Sequence, residues 1–323
     1  MTRNVTYMLE QHYSDIQKPM KYISETTGKN SRSLIINYLY GLLGINDSQF
    51  NLEVDRVVGV IHNASLLVDD VQDESLIRRG KECAHLIYGN GLTINSGYLS
   101  IFSLLKENTI SHFIKNNDLE INKLLVDALY NLHVGQGLDI YWTTTHTIPS
   151  IDDFNDMIDG KTGSLFKLIL ELGFLYTKTR DYAMIDLIKN ISRFFQIRDD
   201  YINITDSDYW GEKGFCQDLD EKKVSFLFTL LNGENSADKI FESLTSKDKL
   251  SNGDKLVIYG KLYYSGILDK TYLEIENYKK NIISLEKEIT GSIEASSFLD
   301  KFFKNLKYHR AINPDNVIPA LTE

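Results

Sequence analysis

The sequence predicts an all-α chain, and three observations carry that expectation. Prolines are scarce: Pro19, Pro149, Pro314 and Pro319 are the four in 323 residues, so long stretches contain nothing that breaks a helix. Apolar residues recur at helical spacing through several of those stretches. Strand alternation is rare, and no Asn-Gly or Asp-Gly turn lies between two β-rich runs, since Asn90-Gly91 falls between two helical patterns. The expected architecture is one domain over residues 1–323, a bundle of long helices around a central cavity.

In chain order, Met1 to Pro19 mixes acidic and basic residues and lacks the apolar core of a signal peptide. After a loop at Gly44-Ile45-Asn46-Asp47, Val54 to Asp73 reads as a periodic apolar helix. Thr93 to Lys106 and Lys123 to Trp142 read the same way and are divided by a loop at Lys115 to Asp118. Beyond a loop at Thr143 to Ser150 come helices at Ile151 to Tyr176 and Tyr182 to Ile204. Asp206 to Gly214 and Asn232-Gly233-Glu234-Asn235 read as loops, and Ser251 to Leu268 as a further helix. Asp269 to Arg310 is a polar helical tail, and residues 311–323 read as a frayed end.

Composition narrows the function. An apolar fraction of 42% allows a buried core, and a charged fraction of 25% is ordinary. The net charge of −10 and the absence of a basic run disfavour a nucleic-acid binder. No stretch approaches the roughly 20 apolar residues of a membrane span. Cys83 and Cys216 have no partner at ligand spacing and read as reduced packing residues. The expected location is cytoplasmic.

The chemistry is concentrated in two acidic helix ends. The apolar run Ile61 to Val68 leads into Asp69, Asp70 and Asp73, followed by Arg78-Arg79-Gly80. Asp69 and Asp73 lie one turn apart and share a face, where two carboxylates repel unless a divalent, oxygen-seeking cation joins them. Phe194 to Ile197 leads likewise into Asp199 and Asp200, with Asn203 a turn on. One such pair reads as a solvated helix face. Two pairs, each after an apolar helix and one followed by paired arginines, point to metal ions holding a diphosphate.

The order of these motifs resembles the trans-isoprenyl diphosphate synthases, most closely the fungal and animal type of geranylgeranyl diphosphate synthase. The resemblance runs from about Lys18 to about Leu231 and includes Gly28-Lys29-Asn30-Ser31-Arg32, His62-Asn63-Ala64-Ser65 and the first aspartate motif with its arginines. Gly135-Gln136-Gly137-Leu138-Asp139, Lys161-Thr162, Phe195-Gln196-Ile197-Arg198-Asp199-Asp200, Lys213-Gly214-Phe215 and Lys223-Val224-Ser225-Phe226 complete it. It implies the isoprenoid synthase fold, a homodimer, and a reaction in which an allylic diphosphate ionises and its cation is attacked by isopentenyl diphosphate.

By the same resemblance, Asp69 and Asp73 ligate two Mg²⁺ ions and Asp199 a third, with Asp70 and Asp200 the less direct members of their pairs. Lys29, Arg32, His62 and Arg79 bind isopentenyl diphosphate. Arg78, Lys213 and Lys223 hold the allylic diphosphate, while Lys161, Thr162 and Gln196 line the reacting carbons and Asn203 completes the second motif. Gln136 and Asp139 read as hydrogen-bonded ties between helices, outside the site. A twenty-carbon product from farnesyl diphosphate is expected, because Ala64 and Ser65, a turn above Asp69, are small. Ile101, Phe102 and His133 are the candidates for the floor of the product path.

Two rivals share the fold. A class I terpene cyclase needs Ser or Thr four residues after its second Asp pair begins and Glu four later, where this chain has Asn203 and Ser207. It also has no use for a second diphosphate site. A non-catalytic synthase subunit usually loses aspartates from one motif, and both motifs are whole here.

Overall fold

In a computed structural model, described for residues 12–25, 31–231, 237–245, 247, 249–294 and 296–317, the chain is all-α. Its helices are α1 (Lys18–Glu25), α2 (Ser31–Leu42), α3 (Ser48–Gln72), α4 (Ala84–Tyr88), α5 (Asn90–Glu107), α6 (Asp118–Thr145), α7 (Ile151–Lys161), α8 (Gly163–Thr177) and α9 (Tyr182–Thr205). The rest are α10 (Ser207–Lys213), α11 (Gln217–Asp220), α12 (Phe226–Thr229), α13 (Ala237–Thr245), α14 (Asn252–Tyr264), α15 (Ile267–Thr290), α16 (Ser297–Asn305) and α17 (Pro314–Val317). Strands β1 (Ile77–Arg78) and β2 (Lys81–Glu82) make the one sheet among the described residues.

Caps explain where several elements depart from the apolar pattern. Helix α3 starts at Ser48 because the Asp47 carboxylate accepts from the backbone N–H groups of Gln49 and Phe50. The segment expected to be a loop at Asp206 to Gly214 is instead helix α10. Asp206 acts as its cap, accepting from Asp208 and Tyr209, and Gly214 ends it at φ +106°. The single helix expected over Ile151 to Tyr176 is two, parted at Thr162. The helix expected over Ser251 to Leu268 stops at Tyr264, because the chain turns at Gly266 with φ +75°. The polar tail likewise divides into α15 and α16. The expected fraying at the C-terminus is corrected in part: Pro314–Val317 forms α17 with Val317 buried. The loop expected at Asn232 to Asn235 lies outside the described residues.

The helices gather into two compact units. The first comprises residues 1–127 with 171–178. Its centre is an aromatic stack in which the Phe50 ring lies 5.4 Å from Tyr40 and 4.4 Å from Tyr176. Helix α5 approaches α3 closely, since a Cβ at Gly97 would come 3.2 Å from the Ala64 carbonyl oxygen. The second unit comprises residues 128–170 with 179–323 and is built chiefly on α9 against α15. There Arg193 clasps Asp159 by two bonds of 3.0 and 2.8 Å, and Phe194 packs among Phe302, Phe303 and Tyr308. Both cysteines are buried free thiols, and no described helix is long and apolar enough to cross a membrane.

Candidate active site

In the first unit, helix geometry lines up one face of α3. Asp55, Gly59, His62, Asp69 and Asp73 follow one another at intervals of three, four or seven residues. Asp69 and Asp73 are partly buried, and Asp70 is wholly buried. The chain then doubles back in the β1–β2 hairpin, where Ile77 pairs with Glu82 and Arg78 with Lys81. Its two-residue tip, Arg79-Gly80, has φ of +55° and +74°, the doubly positive geometry of a type I′ turn. Glycine accepts that conformation freely, whereas at Arg79 it costs about 1–2 kcal/mol.

That turn returns Arg78 to the aspartates. Its Nε donates to Asp70 Oδ1 at 2.7 Å and its Nη2 to Asp69 Oδ2 at 3.1 Å. Burial alone would lower the Arg78 pKa, but the Asp70 and Asp69 carboxylates outweigh it and raise it. Arg79 is held below its ordinary value by burial and by the charges of Arg78 and Arg32. His62 is pushed down to about 4, by burial first and then by Arg79, Arg32 and Arg78, with Asp69 opposing. Three guanidinium groups and an imidazole thus share one neighbourhood with the first aspartates. Lys29 lies outside the described residues.

The depressed His62 pKa has a definite sign. Between pH 6.5 and about 4 the unfolded chain takes up a proton that folded His62 does not, so this residue removes stability as pH falls through that window. Melting temperatures from pH 7 to pH 4 are expected to fall less steeply for His62→Asn than for the natural chain. Parallel curves would contradict it.

In the second unit, α6 and α7 cross glycine on glycine. A Cβ at Gly135 would lie 2.3 Å from the Lys161 backbone nitrogen, and one at Gly160 would lie 3.3 Å from the Gly135 Cα. This close approach accompanies the ion pair between Lys161 Nζ and Asp139 Oδ2 at 2.5 Å. Thr162 Oγ1 donates to Gln196 Oε1 at 2.7 Å, and Gln196 Nε2 donates to Asp200 Oδ1 at 2.9 Å. Asp200 is buried and also accepts from the Phe226 backbone N–H. Burial pushes its pKa up to about 7, opposed by Lys223 and helped by Asp218. Asp199, beside it, accepts from the Tyr209 hydroxyl at 2.9 Å.

Each acidic motif therefore divides internally. Asp70 and Asp200 are buried, whereas Asp69 and Asp199 are only partly buried. Asn203 is also buried and exchanges two bonds with Asp218, 2.8 Å from its Nδ2 and 3.1 Å to its Oδ1. Lys213 is the last residue of α10, and its side chain lies outside the described residues. Lys223 is partly buried, and its charge acts on Asp200.

Among the chain-length candidates, Ala64 and Ile101 are buried, and Ser65 is partly buried with its hydroxyl donating to the His62 carbonyl. His133 is exposed, its Nδ1 donating to the Leu129 carbonyl one turn back. Phe102 is 64% exposed. The buried face of α5 is instead Thr93, Ser96, Gly97, Ser100, Ile101 and Leu104. Small residues suit that face because α3 comes so close, and the large ring is left outside. Asp139, Tyr209 and Asp218 are partners of site residues that the sequence did not single out as such. Of these only Asp139 carried a signal, as the end of the Gly-Gln-Gly motif.

Residues 14–262 match the sequence profile of a family described as polyprenyl synthetase. The chain is similar to a geranylgeranyl pyrophosphate synthase of Dictyostelium discoideum, 32% identical over 89% of this chain and 92% of that protein. It is similar to geranylgeranyl pyrophosphate synthase 1 of Zymoseptoria tritici, 38% identical over 65% of this chain and 62% of that protein. It is also similar to the quiannulatene synthase of Emericella variicolor, 32% identical over 82% of this chain, but spans 36% of that protein's length.

Proposed function

We propose that this chain, which belongs to the polyprenyl synthetase family, joins isopentenyl diphosphate head-to-tail to farnesyl diphosphate and releases geranylgeranyl diphosphate. Family membership carries prenyltransferase or terpene-synthase activity and a Mg²⁺-dependent reaction. The finer reading is supported by one observation above all: Arg32, His62, Arg78 and Arg79 lower one another's or their neighbour's proton affinity beside Asp69. A cluster of cations that disfavour each other suits a polyanion, and the cluster goes beyond what an acid-bound metal needs.

The donors fit Mg²⁺. Asp69, Asp73 and Asp199 offer hard carboxylate oxygens, the donors Mg²⁺ prefers. Mg²⁺ takes one or two carboxylates and fills its shell with water and phosphate oxygens. We assign Asp69 and Asp73 to two ions and Asp199 to a third. When bound, the ions stabilise the charge of the departing diphosphate. Arg78, Lys213 and Lys223 hold that diphosphate, and Arg79, Arg32, His62 and Lys29 hold the isopentenyl diphosphate. His62 offers a ring N–H to that group. Lys161, Thr162 and Gln196 present oxygen and amide dipoles to the allylic cation, with Asp139 holding Lys161 back. We further propose that residues 1–323 act as a single synthase domain.

Purified chain with Mg²⁺, farnesyl diphosphate and radiolabelled isopentenyl diphosphate tests the reading. After dephosphorylation a labelled linear C20 alcohol is expected, and Ser65→Phe is expected to shorten it. Failure to condense any allylic primer refutes the proposal. A cyclic hydrocarbon made from the allylic diphosphate alone supports a cyclase instead.

The two arginines are expected to separate in kinetics. Arg79→Ala raises the KM for isopentenyl diphosphate and Arg78→Ala that for the allylic substrate, each roughly tenfold to a hundredfold for one lost charge-assisted contact. Equal shifts in both constants would remove the split. We also propose a homodimer, supported by the exposed side chains Val126, Tyr130, Val134 and Tyr141 along one face of α6. Sedimentation of an active monomer at micromolar concentration would refute it.

A further inference from the structure

We infer that Gly59 and Asp55 form a seat on α3 that positions the Arg32 guanidinium, so that the bare backbone at Gly59 sets the affinity for the diphosphate of isopentenyl diphosphate. The inference rests on the function proposed above and concerns two residues to which that reading gives no part.

The geometry is specific. Arg32 sits at the start of α2, and its Nε donates to Asp55 Oδ1 at 2.6 Å. The other carboxylate oxygen of Asp55 accepts from Ser33 Oγ at 2.8 Å, so both oxygens of Asp55 are engaged and its orientation is fixed. One turn further along α3, the guanidinium lies directly over Gly59. A Cβ there would come 2.9 Å from Nη2, 3.0 Å from Cζ and 3.3 Å from Nη1. His62, whose proton affinity Arg32 lowers, follows three residues later on the same face.

Gly59 is not in a turn, and its φ does not fall in the left-handed range. A glycine inside a helix is disfavoured relative to alanine, so backbone freedom does not account for it. What the missing side chain supplies is room. With Nε bound to Asp55, the guanidinium is pinned at one edge and its two terminal nitrogens lie against Gly59. A methyl group at residue 59 would lift those nitrogens away while leaving the Asp55 bond available. Gly59 and Asp55 are thus positioning residues that act through Arg32.

A positioning role and a packing role predict opposite results. Gly59→Ala is expected to raise or preserve the melting temperature, since it removes a helix glycine, yet to raise the KM for isopentenyl diphosphate about tenfold with a much smaller change in kcat. Titration calorimetry with isopentenyl diphosphate is expected to show the same tenfold loss. Asp55→Asn, which weakens the hold on Nε, is expected to lose affinity in the same direction. Because the effect runs through one side chain, adding Gly59→Ala to Arg32→Ala should cost nothing more. A natural chain that binds no isopentenyl diphosphate overturns the proposed function and the seat together. A natural chain that binds it, with Gly59→Ala binding equally well or adding its full loss to Arg32→Ala, overturns the seat alone.

Discussion

Asp69→Ala and Asp199→Ala are each expected to cut kcat by ~10³-fold or more, the scale of losing a principal group that stabilises transition-state charge, while leaving the helical circular dichroism intact. Structure separates these residues from the aspartates beside them. Removing the Asp69 carboxylate takes one bond from Arg78, which retains Asp70. Removing Asp199 takes one bond from the Tyr209 hydroxyl. Each loss costs about 1.5–3 kcal/mol of stability, the range for a hydrogen bond to a charged group. Asp70→Ala is a different change, because it strips a buried guanidinium of its principal partner, and a broken buried pair costs ~3–5 kcal/mol. Initial rates and melting curves on the three variants check the division. Near-normal turnover in Asp69→Ala or Asp199→Ala would end the metal assignment.

That division was only half legible in the sequence. The helical period fixes which aspartates share a face, so Asp69 with Asp73 follows from spacing alone. Which member of an adjacent pair is buried depends on what the chain brings back against it. Here that is the hairpin at Arg79-Gly80, which no Asn-Gly or Asp-Gly pair announces. Arginine at positive φ is uncommon, and a reading based on turn preferences passes over it. Helix α10 was hidden for a related reason: Asp206 looks like one more acid in the second motif, although its carboxylate caps the helix that delivers Tyr209 to Asp199.

The long helices were readable because apolar period and absent proline are local properties. The faces they bury are not. On α5 the largest apolar side chain, Phe102, is exposed and a row of small residues is buried, which inverts the usual rule. The cause lies on another helix, where α3 leaves no space for bulk opposite Ala64. The same limit applies to Asp139. Its motif was visible, but its use depends on how α6 crosses α7, and that crossing is set by the glycines before it.

Those glycines give a graded expectation. Gly135→Ala places a Cβ 2.3 Å from the Lys161 nitrogen and 2.8 Å from the Gly160 carbonyl carbon. Both are backbone atoms with no rotamer to adopt, so α6 and α7 must part. Overpacking of this kind costs about 3 kcal/mol, and parting the helices also draws Lys161 from Asp139. Gly160→Ala meets the Asn131 carbonyl oxygen at 3.1 Å and the Gly135 Cα at 3.3 Å, which a shift of a few tenths of an ångström relieves, so its effect is smaller. Gly137→Ala meets nothing within 4 Å and gains the helix preference of alanine, a stabilisation of ~0.5–1 kcal/mol. Denaturant unfolding should therefore rank the variants Gly137→Ala, natural chain, Gly160→Ala, Gly135→Ala from most to least stable. Turnover should fall in the last two in the same order, because the Lys161 side chain moves with the crossing. A Gly135→Ala protein as stable as the natural chain would mean that the two helices do not need this contact to hold Lys161 in place.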